Sequence, residues 1–347
     1  MTHSPDDRSS PNSPGAPGSP GSPGSPGSPG SPGALLLAAD YRRAFDADLR
    51  LRRHADRGQL HRLGRGQYIG STIWNALNED QRYALKVRGA ADTRRSELVL
   101  SHHSAAVLWG LPTLAGWPLE VHFLTERTRG GRSTPGIRKH ATGADPRDVT
   151  RVAGLLATTV ERTVVDLAAV LDLKSAVAMA DRAIAVDRTG RILPLTTRER
   201  LLEAWERMLP FRGSVRARAV IDFASTLSGS PNESGSRVNV ALNGFPEPVL
   251  QHPFIVDGKE VFTDFYWLGQ DAVGEADGKR KYFDPMMLGG RTTAEAVYDE
   301  KRREDGVRRQ VRAFTRWDFP VGMSQGRLRI RLLQLGLPIG RPRLRLT

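Results

Sequence analysis

FTDFYWLGQDAVGEADGKRKY, residues 262–282, alternates apolar and polar side chains on either side of a turn at Gly269. It reads as two consecutive β-strands, with Asp264 on the first and Glu275 on the second. Alternate residues of a strand share a face, so Glu275 and Asp277 point the same way. An adjacent strand can bring Asp264 beside them. Converging carboxylates are hard oxygen ligands suited to Mg²⁺. Such an ion polarises a phosphodiester and activates water, while a lysine such as Lys279 stabilises developing charge. By spacing alone, two acids beside a hairpin describe a solvated turn equally well.

The flanks extend the pattern in both directions. PVLQHPFIV (248–256), 259–267 and 272–276 read as successive strands, with a turn signal at Asp257-Gly258. A helix is expected over 233–242, before the strands. A long charged helix is expected over 294–314, and RLRIRLLQL (327–335) fits a final basic strand or helix. This order resembles the PD-(D/E)XK nuclease superfamily over about residues 228–320, in particular its very-short-patch-repair endonuclease branch. There an acidic helix residue precedes a strand aspartate, an E-x-D-G strand and a charged helix. The matching residues are Glu233, Asp264, Glu275 with Asp277-Gly278, and the helix carrying Glu300, Lys301, Glu304 and Asp305. The resemblance implies a catalytic set of Asp264, Glu275, Asp277, Lys279 and Glu233, with Mg²⁺ on Asp264, Glu275 and Asp277. Two positions depart from the superfamily. Thr263 replaces the proline before the aspartate, and Asp277 stands where a lysine is expected, leaving Lys279 to supply the cation.

The N-terminal region carries a different signature. ALLLAADYRRAFDADLRLRRHADRGQLHRLGRGQYI (34–69) reads as two short helices, with Asp48 as an N-cap and Gly58 as a stop. A hairpin broken at Gly64-Arg65-Gly66 follows. Helix, helix, hairpin is the order of a winged helix-turn-helix. Arg50, Arg52, Arg53 and Arg57 are expected along one helix facing a DNA groove, with His61, Arg62 and Arg65 on the wing against phosphates. Together with SHHSAAVLWGLP (101–112) and ATTVERTVVDLA (157–168), this stretch resembles the AbiEi-type antitoxins of type IV toxin–antitoxin systems over about residues 35–190. That resemblance implies a winged-helix, DNA-binding repressor and a cognate toxin protein as a partner.

Composition narrows the classes. The 347 residues carry a formal charge of +13, and only seven of the 51 basic residues are lysine. An excess of cations favours a polyanionic partner, because bound lysine and arginine release counterions from DNA; an arginine-rich solvated surface is the competing reading. With no cysteine, disulfides, thiolate-bound zinc and cysteine nucleophiles are excluded. No apolar run approaches the roughly 20 residues of a membrane helix, and the polar, proline-rich start lacks a secretion signal, so a cytoplasmic protein is expected. GEADGK lacks the spacing and the Ser/Thr of a P-loop. The adjacent pair His102-His103 lacks i,i+4 spacing for a shared metal and reads as a helix-capping surface feature.

The expected fold class is α+β multidomain: a winged helix-turn-helix, a mixed central region and an α/β restriction-endonuclease-like core. The expected divisions are a disordered Pro/Gly/Ser tail (1–33), a winged-helix-like module (34–95), a mixed α/β region (96–200), a helical connector (201–229), the nuclease-like domain (230–335) and a basic tail (336–347). Three functions stay open on the sequence: a DNA-binding protein with a Mg²⁺-dependent endonuclease-like domain, a non-catalytic repressor keeping that scaffold, and a protein whose basic faces bind a partner toxin.

Overall fold

In the computed structural model, residues 35–37, 47–64, 66–94, 98–126, 133–187, 190, 193–277 and 293–344 are described. The 1–33 tail, Arg65, Gly278 and Lys279 lie outside the described residues. Strand β1 (Leu35–Leu37) precedes helix α1 (Ala47–Asp56), which stops at Gly58 with φ at 73°, the left-handed conformation that glycine adopts without a steric penalty. Strands β2 (Leu60–Gly64) and β3 (Gln67–Gly70) form an antiparallel hairpin, and β1 adds to β3. The apolar triplet Leu35–Leu37, expected in a helix, is a strand because its partners are Gln67, Tyr68 and Ile69, a distant pairing that local periodicity does not report. Helices α2 (Ser71–Ala76) and α3 (Glu79–Asp92) follow, the latter closed by a capping box between Asn78 and Gln81.

The middle of the chain holds α4 (His102–Leu108), a parallel pair β4 (Val121–Leu124) and β5 (Ile137–His140), and an antiparallel pair β6 (Val149–Val152) and β7 (Leu155–Thr158). Leu100 bridges both pairs, touching Phe123 on one side and Ala157 on the other. Four helices come next: α5 (Val160–Ala168), α6 (Leu173–Ile184), α7 (Arg198–Met208) and α8 (Ser214–Phe223). Side chains of Thr159, Asp172 and Thr197 cap the first three, satisfying backbone donors that a helix start leaves open. Leu201, Ala204, Ala217, Val220 and Ile221 are buried in one cluster with Val164, Leu167 and Val177. Residues 201–229, read from the sequence as a helical connector, thus contribute Leu201, Ala204, Ala217, Val220, Ile221 and Ala224 to a helical core.

Helix α9 (Pro231–Leu242) stands between two cores, with Val238 in the helical cluster and Val240 against the following sheet. Asp181 of α6 accepts from Arg237 of α9 at 2.9 Å, with both groups buried. The sheet comprises β8 (Val249–Val256), β9 (Lys259–Trp267), β10 (Ala272–Ala276) and β11 (Ala313–Trp317), in the order β11-β10-β9-β8. Asp257 and Gly258, with φ of 51° and 75°, make the tight turn from β8 to β9; two positive φ values match the strand twist.

Helix α10 (Thr293–Arg308) links β10 to β11, which run parallel. The helix expected over 294–314 therefore ends early, because Phe314 pairs with Val273 in the sheet. Short helix α11 (Phe319–Met323) leads to α12 (Gln325–Gln334). The basic 327–335 segment is helical, with Leu328 and Leu332 buried one turn apart. One sheet face packs Phe265, Trp267 and Trp317 under α9 and α12; the other packs Tyr266 and Val273 against Val307 of α10. The protein is thus mixed α/β with several small sheets. No helix among the described residues is long and apolar enough to cross a membrane.

Candidate functional site

The ladder between β9 and β10 pairs Phe265 with Gly274, which sets Asp264 opposite Glu275. Directly opposed residues of antiparallel strands share a face. The same row extends outward in both directions. Glu275 pairs with Arg316 on β11, and Gln251 lies opposite Asp264 between the pairs Leu250–Phe265 and His252–Thr263. Gln251 interrupts regular pairing with φ at 54°. That conformation is costly for a side chain bearing a Cβ and marks a functional constraint more often than chance.

Gln251 joins two acids. Its Nε2 donates to Glu233 Oε2 at 3.2 Å and to Asp264 Oδ1 at 3.3 Å. Asp264 Oδ2 accepts from the Ala276 amide at 2.8 Å. Glu233 sits in the first turn of α9, where Ser230 caps the helix and the Gly229 amide donates to Glu233 Oε2 at 2.8 Å. Asp264 therefore stands beside Glu275 and is joined to Glu233 through Gln251, but the three carboxylates do not all come within 4.8 Å of one another. Asp277 follows the end of β10; its amide donates to the Trp317 carbonyl, its carbonyl accepts from Asn232, and its carboxylate acts on Arg316.

Glu275 is only 6% exposed. Burial, then the neighbouring Asp264 charge, push its carboxyl up to about 8, while Arg303 and Arg316 pull the other way. Arg303, on α10, lies 3.5 Å from Glu275 and binds Glu300 at 2.9 Å. Arg316 holds Glu300 at 2.6 Å and Glu304 at 3.1 Å. The cations beside the carboxylates are thus arginines of α10 and β11.

Sequence reasoning missed Gln251, Arg303 and Arg316. Strand alternation places Gln251 on the same face as Asp264 once the register is known. No local motif distinguishes Arg303 or Arg316 from the other arginines of a basic chain.

A cleft of about 570 Å³ opens beside Gln251, lined by Ser228, Gly229, Ser230, Phe262 and Arg182 among others. The Arg182 NH1 atom is buried and has no hydrogen-bond partner among the described residues.

At the N-terminal module, Arg50, Arg52, Arg53 and Arg57 are all exposed. They do not share one face. At about 100° per residue, Arg50, Arg53 and Arg57 form a stripe and Arg52 lies on the far side. Arg57 lies just past α1, with its amide still donating to the Arg53 carbonyl. His61 is not poised on the wing surface. Its ring stacks on Trp74 with centroids 4.0 Å apart, and partial burial, then Arg82, lower its pKa. Arg62 is exposed and donates to the Gly64 carbonyl.

His102-His103 is likewise no surface cap. His102 is 7% exposed, and Ser101 makes no side-chain cap bond to α4. His102 is buried and His103 half-buried, with His140 stacked on the first and His122 against the second.

No protein-family model matches the chain. Two uncharacterized proteins from two strains of Mycobacterium tuberculosis are each 29% identical to it over 228 residues, which is 60% of this chain and 80% of theirs.

Proposed function

We propose that the Glu233–Asp264–Glu275 cluster is a Mg²⁺-dependent phosphodiester-hydrolysing site, served by DNA docking on the N-terminal winged-helix-like module. The observation that carries this reading is the cross-strand opposition of Asp264 and Glu275, tied through Gln251 to Glu233. The order α9, β9, β10, α10 is also the order of acidic helix, aspartate strand, E-x-D-G strand and charged helix in the PD-(D/E)XK resemblance. The donor set suits the ion. Two carboxylates held side by side, one of them buried with its carboxyl pushed up by burial and by its neighbour's charge, favour a hard divalent cation that takes oxygen ligands.

Asp264, Glu275 and Asp277 would hold Mg²⁺, with Glu233 approaching from α9, after a local rearrangement, because no three carboxylates among the described residues have ligand oxygens within 4.8 Å of one another. When bound, the ion would polarise a phosphodiester oxygen and lower the pKa of a water. The chain's own groups do the positioning. The Ala276 amide and Gln251 fix the two Asp264 oxygens. Arg303 offsets the charge of Glu275. Arg182 lines the adjoining cleft and brings a positive charge beside it. Docking is electrostatic, through the Arg50–Arg53–Arg57 stripe and Arg62.

A second reading is a non-catalytic repressor of the AbiEi antitoxin type, which would take a toxin protein as partner. It is favoured by the ion pair between Arg303 and Glu275, which supplies a cation from within the fold. Plasmid DNA incubated with wild type and with Asp264→Ala, with Mg²⁺ or EDTA, separates the two. Cleavage that requires both Mg²⁺ and Asp264 is the expected result. DNA binding by wild type without cleavage under any condition would leave the repressor reading in place.

A further inference from the structure

Outside the carboxylate row, the described residues contain a cluster of imidazoles built from three separate elements. His102 is the first residue of α4, His122 lies on β4 and His140 ends β5. The parallel register pairs Leu124 with His140, so His122 and His140 stand two positions apart in the ladder and share a face. Their rings are in contact, with His140 Nε2 and His122 Nδ1 3.1 Å apart. His102 stacks on His140 with centroids 3.6 Å apart. One ring nitrogen from each of the three lies within 4.8 Å of the others.

We propose that His102, His122 and His140 form a binding site for a borderline divalent transition-metal ion of the Zn²⁺ class, with the fourth position open to water. Imidazole nitrogen is the donor such ions prefer, and three protein ligands with an open fourth position is a known tetrahedral arrangement. Metal–nitrogen distances of about 2.0–2.1 Å place tetrahedral ligands roughly 3.3 Å apart. The His122–His140 separation already meets that figure. His102 must swing out of its stack to aim a lone pair at the same point, a movement of about an ångström or two. The ring nitrogen shared between His122 and His140 is freed by a tautomer change that moves its proton to the far nitrogen of the same ring.

Two further observations bear on the site. His122 is 4% exposed, and its Nε2 has no hydrogen-bond partner among the described residues, nor has Nδ1 of the adjoining His103, so the His122 ring is not locked by a bond at its far nitrogen. His102 has φ at 49°, a conformation disfavoured for any residue with a Cβ and maintained where the surroundings impose it. Arg138 and Arg162 stand near the cluster. The two arginines oppose a dication only weakly. Arg138 is solvent-exposed, and Arg162 is ion-paired with Asp148 and Asp166. The site would clamp the start of α4 to the β4–β5 pair and, unlike the carboxylate row, would ignore Mg²⁺.

The test uses the untagged full chain, stripped with a chelator and titrated with Zn²⁺ or Co²⁺ alone. Wild type is expected to bind one ion per chain at this site, to show a visible tetrahedral Co²⁺ band, and to gain thermal stability with Zn²⁺ but not with equimolar Mg²⁺. His122→Gln and His140→Gln should each weaken Zn²⁺ binding at least 100-fold. The surface variant His54→Gln and the carboxylate-site variant Asp264→Asn should bind as wild type does. Equal affinity in natively folded His122→Gln and His140→Gln would overturn the proposal. Should those variants fail to fold, a wild type that shows neither a Co²⁺ band nor a Zn²⁺-dependent rise in melting temperature overturns it equally.

Discussion

Asp264 stands across the β9–β10 ladder from Glu275, and its Oδ2 is held at 2.8 Å by the amide of Ala276, the residue after Glu275. That bond keeps one carboxylate beside the other. The cost falls on Glu275, which is buried and whose carboxyl is pushed up to about 8.

A stability–pH relationship follows. A carboxyl with a raised native pKa binds more protons in the folded chain than in the unfolded one between the two values, so stability declines as pH rises through that interval. Without divalent cations, wild type should lose stability from the ordinary carboxylate range up to about pH 8, relative to Glu275→Gln. Urea denaturation of both chains at pH 5, 6, 7 and 8 measures the difference. Parallel curves across this interval would show that Glu275 is ionised in the native state.

Gly274 is a position where only hydrogen fits. A Cβ there would lie 2.6 Å from one ring atom of Trp317 and 3.0 Å from one of Trp267, both buried. Gly274→Ala should cost about 1–3 kcal/mol through overpacking, seen as a lower melting temperature. Gly269→Ala, in the connection between the same strands and with nothing within 4 Å, should stay within about 0.5 kcal/mol of wild type. Equal effects at the two sites would mean that the tryptophans relax freely.

The buried pair Asp181–Arg237 ties the helical core to α9. Asp181 also accepts from Ser234 Oγ and the Ser225 amide, each at 2.7 Å. Arg237→Met leaves that carboxylate without its counter-charge and should destabilise by about 3–5 kcal/mol. Asp181→Leu combined with Arg237→Met should be less damaging than the two single costs added together, which a double-mutant cycle on chemical denaturation reads directly.

For the proposed DNA docking, the geometry of α1 singles out particular arginines. Arg50, Arg53 and Arg57 share a helical stripe from which Arg52 is excluded. Replacing the three by alanine should flatten the slope of log affinity against log salt by about 0.9 for each phosphate that is no longer neutralised. Arg52→Ala alone should leave the slope unchanged. A salt titration in which Arg52→Ala matters as much as the triple variant would place the interface elsewhere.

The local chemistry of the chain was readable from its residues. Strand alternation announced β9 and β10 and Asp257-Gly258 announced the hairpin between β8 and β9, while the setting of Asp264 opposite Glu275, which alternation allowed, was decided by the sheet register. The helix over 233–242 was legible because Ser230, Pro231 and Glu233 are start signals that act within one turn. What the residues could not reveal depended on partners distant in sequence. Leu35–Leu37 became a strand through β3, and α10 ended at Arg308 because Phe314 pairs with Val273. Gln251 and Arg303 look like ordinary polar residues until the sheet register and the packing of α10 set them against the carboxylates. The histidines make the same point most sharply. His102, His122 and His140 lie on separate elements with no shared spacing, and only the folding of α4 onto the β4–β5 pair brings their rings together. Short-range hydrogen bonds and side-chain alternation are written along the chain, whereas the burial and convergence of polar groups arise from packing that exists only after the chain has folded.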